Sequence, residues 1–164
     1  MPMLKVGTAA PDLLAVGMDG AKYNLQDALA TGPLLLAFFK VSCPTSQFTM
    51  PFVERLHQQI LERGGQIWGV SQDTSADTGR FAQEFGLSFP ILIDEKPYLL
   101  SRRYGLKFVP SLFLVAPDRR VLMAFDGFSK PDMVETQRFF ANHFSFTPSP
   151  IFPDGAKIPH YKPG

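Results

Sequence analysis

The chain reads as an α/β domain with a central mixed β-sheet flanked by helices, and three stretches of sequence carry that reading. Leu34 to Phe39 is an unbroken apolar run of strand length, and from Thr45 onward Phe48, Phe52, Leu56 and Ile60 recur at helical spacing. Gln66 to Ser71 repeats the strand pattern and a helix is predicted from about Ala76 to Phe85. Strand, helix, strand, helix in that order implies parallel strands joined by right-handed crossovers. Ser111 to Val115, a turn at Ala116-Pro117-Asp118-Arg119, and Arg120 to Phe125 then form an antiparallel hairpin, which makes the sheet mixed.

The remaining elements follow from punctuation. Leu13 to Val16 and Lys22 to Leu25 flank a turn containing Asp19-Gly20, predicting a β-hairpin ahead of the main domain. Gly64-Gly65 stops the first long helix, in which Pro51 should introduce a kink, and Gly86 stops the second. Phe89 to Asp94 reads as a short strand and Tyr98 to Tyr104 as a short helix. A last helix starts at Ser129, with Pro131 in its first turn and Asp132 as the partner of the cap, and runs to about His143. Beyond Phe144, Pro148, Pro150, Pro153, Pro159 and Pro163 exclude a regular helix or a central strand. The expected organisation is one domain over residues 1–144 and an extended Pro-rich C-terminal tail over 145–164, packed across the domain or loose.

Composition narrows the function classes. A chain of 164 residues suits a single domain. Sixteen basic against 15 acidic side chains give a formal charge of +1, so no electrostatic footprint for nucleic acid or an anionic membrane is present. The single cysteine excludes an intramolecular disulfide, and His57, His143 and His160 have no ligand spacing with it or with one another, so no metal or other cofactor is expected. The first residues do not form a signal peptide, and the run Pro33 to Phe39 is too short to span a bilayer, so a cytoplasmic protein is expected.

That cysteine, Cys43, lies where the strand Leu34–Phe39 gives way to a helix, in Phe38-Phe39-Lys40-Val41-Ser42-Cys43-Pro44-Thr45-Ser46. A chain turning from strand into helix there points free N–H groups and the positive end of the helix at the sulfur, which favours thiolate over thiol. A free cysteine is also among the most often buried residues and can be an inert small hydrophobe; the helix-start position argues against that. Ser46 stands three residues on, where a Cys-x-x-Cys redox motif holds its resolving thiol.

The run Phe38 to Ser46 at a strand-to-helix junction, followed later by Val109-Pro110-Ser111-Leu112-Phe113-Leu114, resembles the thioredoxin fold. The opening Gly7-Thr8-Ala9-Ala10-Pro11-Asp12, the Asp19-Gly20 hairpin and Val70-Ser71-Gln72-Asp73 are similar to the redoxin branch of that superfamily, the alkyl hydroperoxide reductase and thiol-specific antioxidant group, over about Val6 to His143. The resemblance implies a cis peptide bond before Pro110, lying against the nucleophilic sulfur, and a groove in which the adjacent backbone pairs with an extended substrate peptide. Cys43, Ser46 and Pro110 are the expected catalytic positions, with Ser42, Pro44, Thr45 and Val109 lining the groove.

Peroxiredoxins place a threonine three residues before the peroxidatic cysteine and an arginine where other thioredoxin folds keep the cis proline. Lys40 and Pro110 occupy those positions here, which favours thiol–disulfide exchange over peroxide reduction. The expected function is therefore a thiol–disulfide oxidoreductase whose partners are protein or small-molecule disulfides and an external thiol reductant. Serine cannot resolve a mixed disulfide, so Cys43 would depend on that external thiol. A natural monothiol and a replaced resolving cysteine both account for Ser46. A one-cysteine thiol peroxidase and a non-catalytic binding module are the alternatives.

Residues beside the site have bland readings as well. Lys40 can lend charge to a thiolate, although an exposed lysine at a strand end is the commoner case. Ser71, Gln72 and Asp73 end a strand at the sheet edge where open sheets bind ligands, and Asp73 or Thr74 is expected to cap the following helix. Trp68 is expected in the core. Ser42 takes the place of the exposed tryptophan that precedes the cysteine in many thioredoxins.

Overall fold

The computed structural model describes residues 3–164, and its central sheet has five strands. A short hairpin, β1 (Leu14–Val16) and β2 (Lys22–Asn24), precedes them and turns at Gly20, whose φ of +82° suits glycine. The strand expected to end at Leu25 stops one residue earlier. Asn24 instead caps a five-residue helix, α1 (Leu25–Leu29), its side chain accepting the Asp27 N–H. So short a helix has no periodicity for a sequence pattern to display.

The sheet has the predicted mix of parallel and antiparallel strands. β3 (Leu34–Phe39) pairs in parallel with β4 (Gln66–Ser71), which pairs in parallel with β5 (Ile91–Ile93). On its other side β3 pairs antiparallel with β6 (Ser111–Val115), and β6 with β7 (Val121–Asp126), giving the order β5-β4-β3-β6-β7. The strand predicted at Phe89–Asp94 is confined to Ile91–Ile93, and at its C-terminal end Asp94 turns its carboxylate to the next helix. The parallel connections run through α2 (Pro44–Ile60), extended by a 3₁₀ turn at Leu61–Arg63, and α3 (Ser75–Phe85). Pro51 lies inside α2. Gly64 and Gly86, both left-handed, terminate these crossovers where the sequence indicated.

All six side chains of β3 are buried, and their alternation builds a core on each face of the sheet. Leu35, Ala37 and Phe39 pack with Met50, Val53, Leu56 and Ile60 of α2, Phe81 of α3, and Met133 and Phe140 of α5 (Lys130–Phe144). Leu34, Leu36 and Phe38 pack with Leu25 and Leu29 of α1 and Leu100 of α4 (Leu99–Arg103), and this side also buries Trp68. Burying an aliphatic or aromatic side chain contributes about 1.5–3 kcal/mol, so the continuous run in β3 is a major anchor of the fold. α4 is shorter than the predicted Tyr98–Tyr104 and is held by Asp94, whose carboxylate accepts the Leu100 and Ser101 N–H groups at 3.0 and 2.8 Å.

The 145–164 segment lies against the domain. Ile151 is buried, and Phe152 stacks edge-on against Phe52 at a ring separation of 5.0 Å. Further along, β9 (Tyr161–Lys162) pairs antiparallel with β8 (Phe128–Ser129), a two-stranded ladder outside the central sheet. Among the described residues no helix is long and apolar enough to cross a membrane.

Candidate active site

α2 begins at Pro44, whose missing N–H costs nothing in the first helical turn, and its N-cap is Cys43 itself. The backbone at Cys43 is extended (φ −83°, ψ 117°), its carbonyl accepts the Gln47 N–H at 3.0 Å, and its sulfur accepts the Ser46 N–H at 3.4 Å. The thiol thus sits on the positive end of a 17-residue helix and in line with one of its free donors. Cys43 is half-buried, so it stays open to reagents, unlike a core cysteine.

The second half of the site comes from residues far away in sequence. The Val109–Pro110 peptide bond is cis, and the Val109 carbonyl accepts the Cys43 thiol at 3.3 Å. The neighbouring carbonyls are taken by the protein: Ser111 Oγ donates to Phe108 O at 2.7 Å and the Gly127 N–H donates to Pro110 O at 2.8 Å. The carbonyl between them is left for the sulfur. A second cis bond, Lys96–Pro97, lies in the β5–α4 loop and has no counterpart among the sequence expectations.

The structure brings Cys43, Ser46, Thr45, Val109 and Pro110 together at one edge of the sheet. Ser42 and Pro44 are exposed on either side of the sulfur, whereas Ser46 and Pro110 are buried. Ser46 Oγ accepts the Lys40 N–H at 3.4 Å, a long contact that ties the helix start to the end of β3. Thr45 points elsewhere, donating to the Pro163 carbonyl at 2.6 Å.

Of the two caps expected for α3, Asp73 or Thr74, it is Thr74 that takes the place. Thr74 caps α3, accepting the Asp77 N–H at 3.1 Å, while the Asp73 carboxylate reaches back and accepts the Val41 N–H at 2.8 Å. The Val41 carbonyl accepts the Gln47 side-chain amide at 2.9 Å, so the loop carrying Cys43 is gripped on both edges. Sequence spacing held no signal for either contact except the short polar run after β4. Beside them a polar cavity of about 330 Å³ is lined by Lys40, Gln72, Asp73, Asp77, Lys96 and Tyr98, and Gln72 separates it from a smaller one against Phe108 and Val109. Lys40 therefore faces a polar hollow at the strand end. Trp68 lies in the core as expected, 5.3 Å from the Tyr23 ring.

A half-buried cysteine capping a helix, set against the peptide before a cis proline on a five-stranded mixed sheet, defines a thioredoxin-fold protein with a free thiol at that position. The AhpC/TSA family model matches residues 6–124, and the chain belongs to that family. Among curated relatives, the thiol-disulfide oxidoreductase ResA of Bacillus anthracis is 26% identical over 133 residues, covering 80% of this chain and 76% of that protein. ResA of Geobacillus thermodenitrificans is 29% identical over 123 residues, covering 74% and 70%. Among solved structures, the thioredoxin domain of a thiol-disulfide oxidoreductase from Bacteroides vulgatus superposes with a TM-score of 0.73 at 20% identity, covering 84% of this chain and 98% of that one. The peroxidoxin BcpB of Mycobacterium tuberculosis gives 0.71 at 19%, covering 85% and 97%. At those identities the two structures establish the thioredoxin fold, and the ResA relatives make this chain a homologue of thiol–disulfide oxidoreductases.

Proposed function

We propose that the protein carries out thiol–disulfide exchange with Cys43 as the nucleophile. The observation that supports this most directly is the half-exposed sulfur on the N-terminus of α2, 3.3 Å from the carbonyl that precedes cis-Pro110. In the first step the Cys43 thiolate attacks one sulfur of a disulfide. The S–S bond breaks, a new S–S bond joins Cys43 to the substrate, and the second sulfur leaves as a thiolate. With Ser46 in the resolving place, an external thiol attacks the mixed disulfide at Cys43, frees the substrate as a thiol and forms a disulfide with Cys43. A second external thiol then restores the Cys43 thiolate, so two electrons pass from two external thiols to the substrate disulfide. Val109 and Pro110 form the wall against which the substrate is held. Protein or small-molecule disulfides are the oxidised partners and a thiol of the glutathione class is the reductant.

Two measurements test this reading. Iodoacetamide near neutral pH should alkylate Cys43 in the native protein; a thiol inert until the protein is unfolded would overturn the nucleophile role. Ser46→Cys, assayed with insulin and dithiothreitol, should reduce insulin disulfides at least about tenfold faster than the Ser46 protein, because resolution then becomes intramolecular. Equal rates would show that the Ser46 position takes no part in resolution. Fast, saturable oxidation of Cys43 by hydrogen peroxide in stopped flow would favour a thiol peroxidase instead.

A further inference from the structure

Residues 160–164 lie along the edge of the site. The His160 carbonyl accepts the Lys130 N–H at 2.9 Å, and Tyr161 and Lys162 pair with Ser129 and Phe128. The Lys162 ammonium stands over the Phe48 ring, 5.0 Å from its centre, on the first turns of α2. The next carbonyl, that of Pro163, accepts the Thr45 hydroxyl, two residues from Cys43. Gly164 is then so close to the Val109 carbonyl that a Cβ placed on it would fall onto that oxygen. The same oxygen accepts the Cys43 thiol. An extended piece of this chain therefore reaches the backbone that the proposed substrate would contact.

We infer that residues 160–164 form a displaceable cover over the peptide-binding side of Cys43, an intramolecular occupant that a substrate peptide must move aside. The inference rests on the proposed role of Cys43. Two features make the cover displaceable. Its anchor lies upstream, where buried Ile151 and half-buried Phe152, the latter packed against Phe52 and Phe128, hold the segment independently of residues 160–164. Those five residues bury little of themselves: His160, Tyr161, Pro163 and Gly164 are all exposed, so opening removes a two-residue ladder, the Lys130–His160 backbone bond, the two side-chain hydrogen bonds of Thr45 to Pro163 and Tyr161 to Asp126, and one cation–π contact. Between anchor and cover, Gly155 at φ +73° and the Pro153–Ala156 turn supply a bend. Cys43 remains half-exposed with the cover in place, so a small reagent passes while an extended peptide meets Gly164 at Val109.

The test compares the 164-residue protein with a form lacking residues 160–164, using two probes of Cys43. One is iodoacetamide. The other is a short peptide bearing a mixed disulfide with thionitrobenzoate, which releases a coloured thiolate as Cys43 attacks. The shortened form should react with the peptide disulfide about tenfold faster, equivalent to about 1.4 kcal/mol of closure, while iodoacetamide rates agree within about twofold. Equal peptide rates with normal iodoacetamide labelling would overturn the cover alone. Absence of reaction with either probe in both forms would overturn the nucleophile role and the cover with it. If the shortened form lacks a cooperative thermal transition, Lys162→Ala replaces it, with an expected rise of about threefold in the peptide rate only; no rise overturns the cover.

Discussion

Asp73 is the residue whose replacement should couple stability to reactivity most clearly. Its carboxylate accepts the Val41 N–H at 2.8 Å across 32 residues of sequence, while Ser71 Oγ accepts the Asp73 N–H at 3.1 Å and keeps the side chain aimed at the loop. A hydrogen bond to a charged group contributes about 1.5–3 kcal/mol net. Asp73 and Val41 are both half-buried, so water replaces part of the lost partner and the lower part of that range applies, about 1.5–2 kcal/mol for Asp73→Ala. For a domain of this size that lowers the thermal midpoint by about 3–8 °C. Asp73→Asn keeps an oxygen that can accept the same N–H, so its loss should stay below about 1 kcal/mol.

Reactivity separates the two variants further. With the Val41 N–H released, the loop keeps the Gln47 amide on the Val41 carbonyl and the contacts of Lys40 with Cys43 and Ser46, and the placement of the sulfur between the Ser46 N–H and the Val109 carbonyl loosens. Asp73→Ala should slow mixed-disulfide formation by on the order of tenfold, whereas Asp73→Asn should stay within about threefold of the parent. Urea melts and stopped-flow reaction with a peptide disulfide supply the two readouts. Alanine and asparagine variants that match in both would refute the argument, because the contact with Val41 would then contribute neither stability nor position.

Other perturbations act away from the sulfur. His57 is buried against Phe89, and burial pushes its imidazole below the ordinary value, with the charge of Glu54 opposing the shift. The unfolded chain therefore takes up the proton first, so stability is full above about pH 6.5 and falls as pH drops below it, by at most about 1.4 kcal/mol per pH unit from this group. Denaturant melts between pH 7.5 and 5.5 should show a steeper loss for the parent than for His57→Met, and parallel slopes would discount the group. Asp94→Ala removes the acceptor of the Leu100 and Ser101 N–H groups and of the Ser101 hydroxyl at 2.7 Å, so a loss of about 2–4 kcal/mol is expected in the same melts, partly restored in Asp94→Asn. A loss below about 0.5 kcal/mol would mean that α4 docks without its cap.

What could be read from the sequence was whatever local chemistry decides. β3, β4 and β6 lie on the predicted residues because each is a short, mostly apolar run bounded by punctuation, and such a run buried on both faces has one stable placement. The start of α2 was legible for a similar reason: Cys43, Pro44 and Ser46 are cap, first turn and capped N–H within four residues. α1 was not, since Leu25 fits the end of a strand until Asn24 is known to turn its side chain to Asp27. The β8–β9 ladder pairs two residues with two across an intervening helix, and no pattern of period two can be seen in so short a strand. Asp73 followed by Thr74 offers two plausible caps, and only the three-dimensional approach of Val41 assigns them different work.

That division bears on where selectivity resides. The local half of the site, Cys43 to Ser46 on α2, supplies a helix end and a sulfur, which would treat any disulfide alike. The remote half supplies shape: exposed Phe108 and the cis-Pro110 loop on one side, the polar hollow around Lys40 and Gln72 on another, and residues 160–164 across Thr45 and Val109. Ser46 is buried with its hydroxyl engaged at Lys40, so under the proposed mechanism replacing it would change whether an exchange can be completed within the protein more than which disulfide is admitted. In the proposed exchange, admission would depend on the Val109 carbonyl, where the thiol and the chain's own extended segment both come close. Changes on the remote half should therefore alter the ratio of rates between peptide and small disulfides, and changes at Ser46 should alter turnover at a constant ratio.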